Sequence, residues 1–266
     1  MTTTTVLTKA VLMKSAVKDR SAKETEIRFG VLGPLTVFAG DGSPVALRGN
    51  RLPALLTELL FHANRPVPVR RLVEVLWGDT PPKSYASNLH TYVSRLRDRG
   101  IPIDLVHGGY RITVDVPDLD LLMFHAEANA GRAAARGGDH KLAARHFRQA
   151  LEQWRSPELC AMDQPHLELE AVRLETERIT VVEQWVDAEV AAGQAGEILG
   201  RLDALVRQYP LRERFAAQLM RALADAGRRA EALAVYQRTR SALVDQLGIE
   251  PGEQLRRTHA WVLNGQ

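Results

Sequence analysis

A repeat of 34 residues constrains the C-terminal half of this chain more than any other feature of its sequence. Gly193 and Gly227 lie 34 residues apart, and similar residues recur at the same distances from each glycine. The matched positions are Glu197 with Glu231, Leu199 with Leu233 and Leu202 with Tyr236. This period is typical of tetratricopeptide helix pairs, which stack because a single pair cannot bury its apolar face alone. We therefore predict an all-α, tetratricopeptide-like domain over residues 117–266.

A third copy of the pattern begins at Gly138, with Ala144 and Phe147 in the corresponding apolar places. The distance from Gly138 to Gly193 is 55 residues, which predicts an insertion around residues 156–165. Three helical hairpins of this kind would stack into a short solenoid.

The preceding residues show a different order of elements. Apolar residues alternate around Asp41-Gly42, which predicts a β hairpin. Helical spacing of apolar residues then predicts three helices, and two short β runs follow. The helices are expected after Gly49, over 69–77 and over 84–99, and the β runs over 103–106 and 110–114. This order predicts a winged helix-turn-helix of the response-regulator effector type over residues 27–116. Residues 1–26 are expected to form a flexible extension.

The third predicted helix carries the residue types that read DNA. Ala86, Leu89, Val93 and Leu96 are spaced to form its buried face, and polar side chains occupy the other face. Amide, hydroxyl and guanidinium groups on a helix can hydrogen-bond base edges in the major groove. The candidate DNA-binding residues are Ser87, Asn88, Thr91, Tyr92, Arg95 and Arg97 on the helix, and His107, Tyr110 and Arg111 in the hairpin. Tyr92, Arg97 and Arg99 are expected to face phosphates.

The charge distribution agrees with this interpretation. Residues 27–115 carry 11 Lys and Arg against 7 Asp and Glu, whereas residues 116–266 carry 19 against 22. A basic first half and a slightly acidic second half suggest that one domain meets a polyanion and the other does not.

Two long segments resemble the Streptomyces antibiotic regulatory protein family. The segment RPVPVRRLVEVLWGDTPPKSYASNLHTYVSRLR, followed by GGYRI, is similar to its DNA-binding domain. The segment YPLRERFAAQLMRALADAGRRAEALAVYQRTRSALVDQLGIEPGEQLRR is similar to its bacterial transcriptional activation domain. The resemblance covers roughly residues 27–263 in the family's domain order. No G-x-x-x-x-G-K-[ST] motif occurs, so we do not expect one of the large ATPase-bearing members.

The resemblance implies a transcription activator, pathway-specific for an antibiotic or other secondary-metabolite gene cluster. Such proteins bind direct repeats in double-stranded promoter DNA, usually as a side-by-side pair, so a homodimer on DNA is expected. They engage RNA polymerase holoenzyme with its sigma factor, and the loop from Gly78 to Lys83 matches the polymerase-facing loop of this fold. Its candidate contact residues are Asp79, Thr80 and Lys83. By the same analogy Asn88, Thr91 and Arg95 are base-facing and Tyr92 and Arg97 backbone-facing. His107 departs from the wing arginine that often enters the minor groove, which leaves the role of the wing open.

Other functional classes have little support in the sequence. The histidines form no H-E-x-x-H motif, and no G-x-S-x-G or nucleotide-binding glycine motif occurs, so we expect no enzyme, cofactor or metal. The single cysteine, Cys160, excludes an internal disulfide. No apolar run reaches 18 residues, so a cytoplasmic, nucleoid-associated protein with no membrane contact is expected. The alternative is a helical-repeat scaffold for protein interactions whose winged helix does not bind DNA.

Overall fold

The computed structural model of the chain describes residues 27–156 and 165–264. The N-terminal extension expected over 1–26, most of the insertion predicted around 156–165, and Cys160 lie outside the described residues.

The described residues form short strands and mostly helices, in the predicted order. The strands are β1 Arg28–Gly30, β2 Thr36–Phe38, β3 Val67–Pro68, β4 Ile103–Val106 and β5 Gly109–Ile112. The first helices are α1 Arg51–Phe61, α2 Val69–Trp77 and α3 Tyr85–Arg97. The later helices are α4 Asp120–Arg136, α5 His140–Glu152, α6 Pro165–Ala191, α7 Ala195–Gln208, α8 Glu213–Asp225, α9 Arg229–Leu247 and α10 Glu253–Asn264. None of these helices combines the length and apolar character that a bilayer-crossing helix needs.

The chain divides into two compact units, and the first contains residues 27–126, 152–156 and 165–175. Its core is built from the fully buried leucines of α1 together with the buried faces of α2 and α3. The strand between α1 and α2 joins the later hairpin in an antiparallel sheet of order β3-β5-β4, and β1 pairs with β2. This is the predicted winged helix-turn-helix arrangement. Around Asp41-Gly42 the chain turns back antiparallel as predicted. Phe38 bridges Pro44, and the Ala39 and Val45 N–H groups donate to the Ser43 and Val37 carbonyls at 2.8 Å.

The first turns of α4 belong to this first unit. Leu119 forms a parallel bridge with Phe29, and the Asp120 carboxylate accepts hydrogen bonds from the backbone N–H groups of Val31 and Leu32. These backbone groups lie beyond the end of β1, and the carboxylate satisfies them. The compact units divide inside α4 and α6, and the domain boundary between residues 116 and 117 stays a prediction.

The second unit contains residues 127–151 and 176–264 and is wholly helical. Three glycines with positive φ, Gly138, Gly193 and Gly227, separate α4 from α5, α6 from α7 and α8 from α9. Nothing lies within 4 Å of where a Cβ would stand on any of them, so it is the backbone conformation that requires glycine there. The three predicted hairpins are confirmed. The extra length before Gly193 lies partly in α6 itself, which has 27 residues against 13 in α8.

Candidate nucleic-acid interface

Helix α3 has one buried and one polar, exposed side. Leu89, Val93 and Leu96 are at most 1% exposed, whereas Ser87, Thr91 and Arg95 are exposed and Asn88 is half-buried. Asn88, Thr91 and Arg95 follow each other at spacings of three and four residues, so they share one side of the helix. We call these three residues the polar stripe. The predicted buried residue Ala86 is exposed instead, because α3 begins at Tyr85 and its first turn extends beyond the core.

The early polar side chains of α3 are hydrogen-bonded within the helix. The Ser87 hydroxyl donates to the Ser84 carbonyl at 3.1 Å, and Thr91 donates to the Ser87 carbonyl at 2.9 Å. The Asn88 amide donates to the Ser84 hydroxyl at 3.2 Å. Thr91 therefore has its methyl group and oxygen lone pairs left for a partner, while Asn88 keeps its amide oxygen and a second N–H. The Asn88 oxygen can accept from the adenine N6 amino group while its N–H donates to N7, and the Thr91 methyl can contact the thymine methyl.

The arginines at the end of α3 differ in their local partners. Arg95 is exposed and forms no ion pair among the described residues. Arg99 donates from Nη1 to the Arg95 carbonyl at 2.5 Å, within the same helix end. Arg97 donates from Nε to the Ile103 carbonyl at 2.7 Å, across to β4. Arg97 was expected to face phosphate, and its Nε is occupied by this internal bond, so only its terminal Nη groups remain for such a contact.

Tyr92, also expected to face the DNA backbone, is held by a stack of side chains. Its ring lies 6.2 Å from that of Trp77, with an angle of 27° between the planes. The guanidinium of Arg51 lies 5.3 Å from the Trp77 ring centroid. This arrangement connects α1, the end of α2 and α3. Tyr92 can offer only its hydroxyl to a partner while its ring stays stacked.

The hairpin of β4 and β5 forms the wing. His107 is exposed at its tip beside Gly108, whose φ is +80°. Arg111 is 41% exposed and lies 3.8 Å from the Asp104 carboxylate. Tyr110, expected to contact DNA, is only 7% exposed, because β5 pairs with β3 and sets Tyr110 opposite Val67. The side chain of Tyr110 is therefore a core residue and is not presented to DNA.

The short strand β3 explains both the burial of Tyr110 and the glycine at position 109. A Cβ on Gly109 would stand 2.0 Å from the Val67 carbonyl oxygen, so β5 can approach β3 only with glycine at this position. Strand β3 has two residues, includes Pro68 and was not predicted from the sequence. The run of valine and proline in RPVPV was the available signal, but it is too short to be distinguished from a loop.

The polar residues of the loop after α2 are exposed to solvent. Gly78, with φ of +60°, ends α2, and Asp79, Thr80 and Lys83 are all exposed. The three residues expected to contact polymerase thus lie on the connection between α2 and α3. Within the described ranges, no group of three His, Cys, Asp or Glu side chains could hold a metal ion.

Comparison with known proteins places this geometry among transcriptional regulators. The sequence model of the family described as "Bacterial transcriptional activator domain" matches residues 119–263. The transcriptional regulatory protein EmbR of Mycobacterium tuberculosis is 34% identical over 252 residues, which are 91% of this chain and 65% of EmbR. The regulatory protein DnrI of Streptomyces peucetius is 32% identical over 247 residues, covering 86% of this chain and 89% of DnrI.

A solved structure gives the same result for the fold. The structure of Mycobacterium tuberculosis EmbR in complex with a low-affinity phosphopeptide matches with a TM-score of 0.87 and 35% identity. The match covers 91% of this chain and 66% of the solved chain. This chain therefore spans slightly less than two thirds of the length of EmbR.

Proposed function

The chain belongs to the Streptomyces antibiotic regulatory protein family, and from that premise we propose that it activates transcription by binding duplex DNA through α3 and the wing. One observation carries the proposal: the polar stripe of α3 lies outside, opposite side chains at most 1% exposed, and a two-stranded wing follows. An α-helix with such a face fits the major groove, where every base pair presents a distinct pattern of hydrogen-bonding groups.

The side chains of the stripe suit different bases. Arg95 can donate two hydrogen bonds to guanine, Asn88 can pair with adenine, and the Thr91 methyl can contact the methyl group of thymine. Ser87, the Tyr92 hydroxyl and the Nη groups of Arg97 would hold phosphates and set the register. In the wing, His107 and Arg111 are the side chains available to the backbone or minor groove. We leave Tyr110 out of this proposal because it is buried.

The target and the partners follow from family membership. We propose that the chain binds direct repeats in promoter DNA as a side-by-side homodimer and regulates an antibiotic or other secondary-metabolite gene cluster. The names of two relatives point this way, since AfsR and DnrI are regulatory proteins of Streptomyces. Asp79, Thr80 and Lys83 would contact RNA polymerase holoenzyme, including its sigma factor, because their exposed loop lies outside the polar stripe.

The test is a binding assay with the full chain. Fluorescence anisotropy should be measured on a duplex from the promoter upstream of the protein's own gene and on a scrambled duplex of equal length, at several salt concentrations. We expect tighter binding to the promoter and a log-log salt slope of about −0.9 per phosphate contacted. Equal and salt-independent binding of both duplexes would contradict the proposal and favour the alternative, a helical-repeat scaffold.

A further inference from the structure

The second unit contains an open groove between α4, α5 and α6. Its volume is about 460 Å³, within the range of pockets that hold drug-sized ligands. Ala135, Ala188 and Ala191 are among its lining residues, together with Phe147, which is only 1% exposed. A Cβ on Gly131 would stand 2.7 Å from the Phe147 ring. The ring therefore lies directly against the backbone of α4, and the alanines leave the groove open and apolar.

Two arginines lie at this apolar lining. Arg132 and Arg136 line the groove, and among the described residues Arg136 has no carboxylate partner. Arg132 is hydrogen-bonded only to the neutral side chains of Gln184 and Asn129, which leaves its charge uncompensated.

The single carboxylate at the groove is already engaged. Asp187 lies 2.5 Å from the guanidinium of Arg214 and accepts a hydrogen bond from Gln218 at 2.6 Å. Its negative charge is therefore paired away from the groove, and the field within the groove is positive.

The same sign continues along the exposed side of α5. Lys141 and Arg145 are exposed, and residues 131–148 together carry five Lys and Arg against one Asp. The other residues between 116 and 266 carry an excess of negative charge, with 14 Lys and Arg against 21 Asp and Glu. A basic surface around an apolar groove is thus a local feature of this first helical hairpin.

We propose that this groove docks an acidic amphipathic helix of a partner protein. Apolar side chains of the partner would pack against the alanines of the groove, and its carboxylates would meet Arg132 and Arg136. This is the helix-in-groove mode of recognition, on the kind of surface that stacked helical hairpins form. Nucleic acid would contact only the arginines and would make no contact with the apolar lining, so a protein segment fits the groove better.

The experiment measures peptide binding to the full chain without DNA, so its outcome is independent of the proposed operator binding. The probe is a fluorescein-labelled 16-residue peptide with leucine at every third or fourth position and glutamate or aspartate elsewhere. Its control has every leucine replaced by serine at the same net charge. We expect the leucine peptide to bind at least tenfold more tightly at physiological salt, because burying even one apolar side chain contributes more than a tenfold factor.

Substitutions in the chain test whether the peptide binds at the groove. Arg136→Glu and Ala191→Glu change exposed residues at the groove, and each should weaken binding of the leucine peptide by about fivefold to tenfold. Arg256→Glu makes the same charge change on an exposed residue of α10 and should leave binding unchanged. Thermal melts of the three variants check that the fold is retained.

Two results would overturn the proposal. One is the absence of binding by the leucine peptide up to about 1 mM, which corresponds to about 4 kcal/mol. The other is binding of both peptides with equal affinity. That second result would assign the surface to polyanions in general.

Discussion

The Nε–H group of Arg97 donates a hydrogen bond to the carbonyl oxygen of Ile103 across 2.7 Å, linking the last turn of α3 to the first residue of β4. Arg97 follows the buried Val93 by four residues, so it lies beside the buried side of α3, not on the polar stripe. The bond therefore fixes the wing relative to the helix proposed to enter the major groove. This role differs from that of a side chain that meets only phosphate.

Replacing Arg97 by lysine should loosen the wing while keeping the charge. Arg97→Lys removes the Nε–H donor and leaves the Ile103 carbonyl without its partner, at a cost of about 1 kcal/mol. Amide hydrogen exchange of β4 and β5 should accelerate by about fivefold. The control is Arg99→Lys, since Arg99 bonds only to a carbonyl of its own helix end. Unchanged exchange in Arg97→Lys would mean that the bond does not hold the wing.

Substitution of Asn64 should lower the unfolding free energy for two separable reasons. It has a φ of +66°, and its side-chain amide donates to the Val114 carbonyl at 2.8 Å and accepts from the Val114 N–H at 2.9 Å. Asn64→Ala loses both bonds and forces alanine into a left-handed conformation, for a total loss of about 2–4 kcal/mol in unfolding free energy. Asn64→Gly loses the same bonds without the conformational penalty and should be about 1 kcal/mol more stable than the alanine variant.

Urea unfolding of the two Asn64 variants measures that difference. If both variants were equally unstable, the backbone conformation would contribute nothing and the side-chain bonds would account for the whole effect.

Asp120 should give the chain a pH dependence of its own. Burial raises the pKa of Asp120 above its ordinary value of 3.8, although the Val31 and Leu32 N–H groups and the Arg155 guanidinium oppose the rise. Because the folded state then holds the proton more tightly than the unfolded state, the contribution of Asp120 to stability is complete below pH 3.8. It is lost as pH rises through the raised pKa.

The matched variant for this prediction is Asp120→Asn, which does not titrate. The unfolding free energy of the natural chain minus that of Asp120→Asn should fall as pH increases from 3.8 and level off above the raised pKa. Urea unfolding over a series of pH values measures the difference. A difference that increased with pH would indicate that the hydrogen bonds lower the pKa of Asp120 more than burial raises it.

Sequence patterns predicted the elements that are defined by local spacing. Helix α2 was predicted over 69–77 and is found at Val69–Trp77, because Leu72, Val75 and Leu76 form one apolar side and Gly78 ends the helix. The repeat likewise predicted equivalent core positions, since both Leu202 and Tyr236 are buried.

Features that depend on distant partners escaped the sequence analysis. Tyr110 was expected at an exposed tip because nothing in its neighbourhood reveals its pairing with Val67, 43 residues earlier. The hydrogen bond from Arg97 to Ile103 and the Asp120 contact with β1 are similarly set by tertiary packing. The polar stripe was identifiable from spacing alone, but the internal hydrogen bonds of its side chains required coordinates.

The loop between α2 and α3 should separate activation from binding. Asp79 and Lys83 are exposed and lie outside the polar stripe, so Asp79→Ala and Lys83→Ala should each reduce transcription in a reconstituted assay more than they reduce operator affinity. The comparison requires both measurements on the same preparations, with a substitution of an exposed acidic residue of the second unit, Asp245→Ala, as the control. Equal losses in both assays would mean that the loop only positions α3.

Arg95 should determine the preference for one base pair. Its exposed guanidinium lies one turn beyond Thr91 and can donate two hydrogen bonds to guanine. Arg95→Ala should therefore cost about 1–3 kcal/mol on the operator and relax the preference at one position, with a smaller loss on scrambled DNA. Arg99→Ala removes the same charge from the same helix end without touching the stripe, so it should weaken both duplexes alike and reduce the salt slope by about one unit. Measuring the affinities of both variants for both duplexes at several salt concentrations distinguishes a base contact from a phosphate contact. If Arg95→Ala lowered the two affinities equally, Arg95 would be a phosphate contact, and the orientation of α3 proposed above would be wrong.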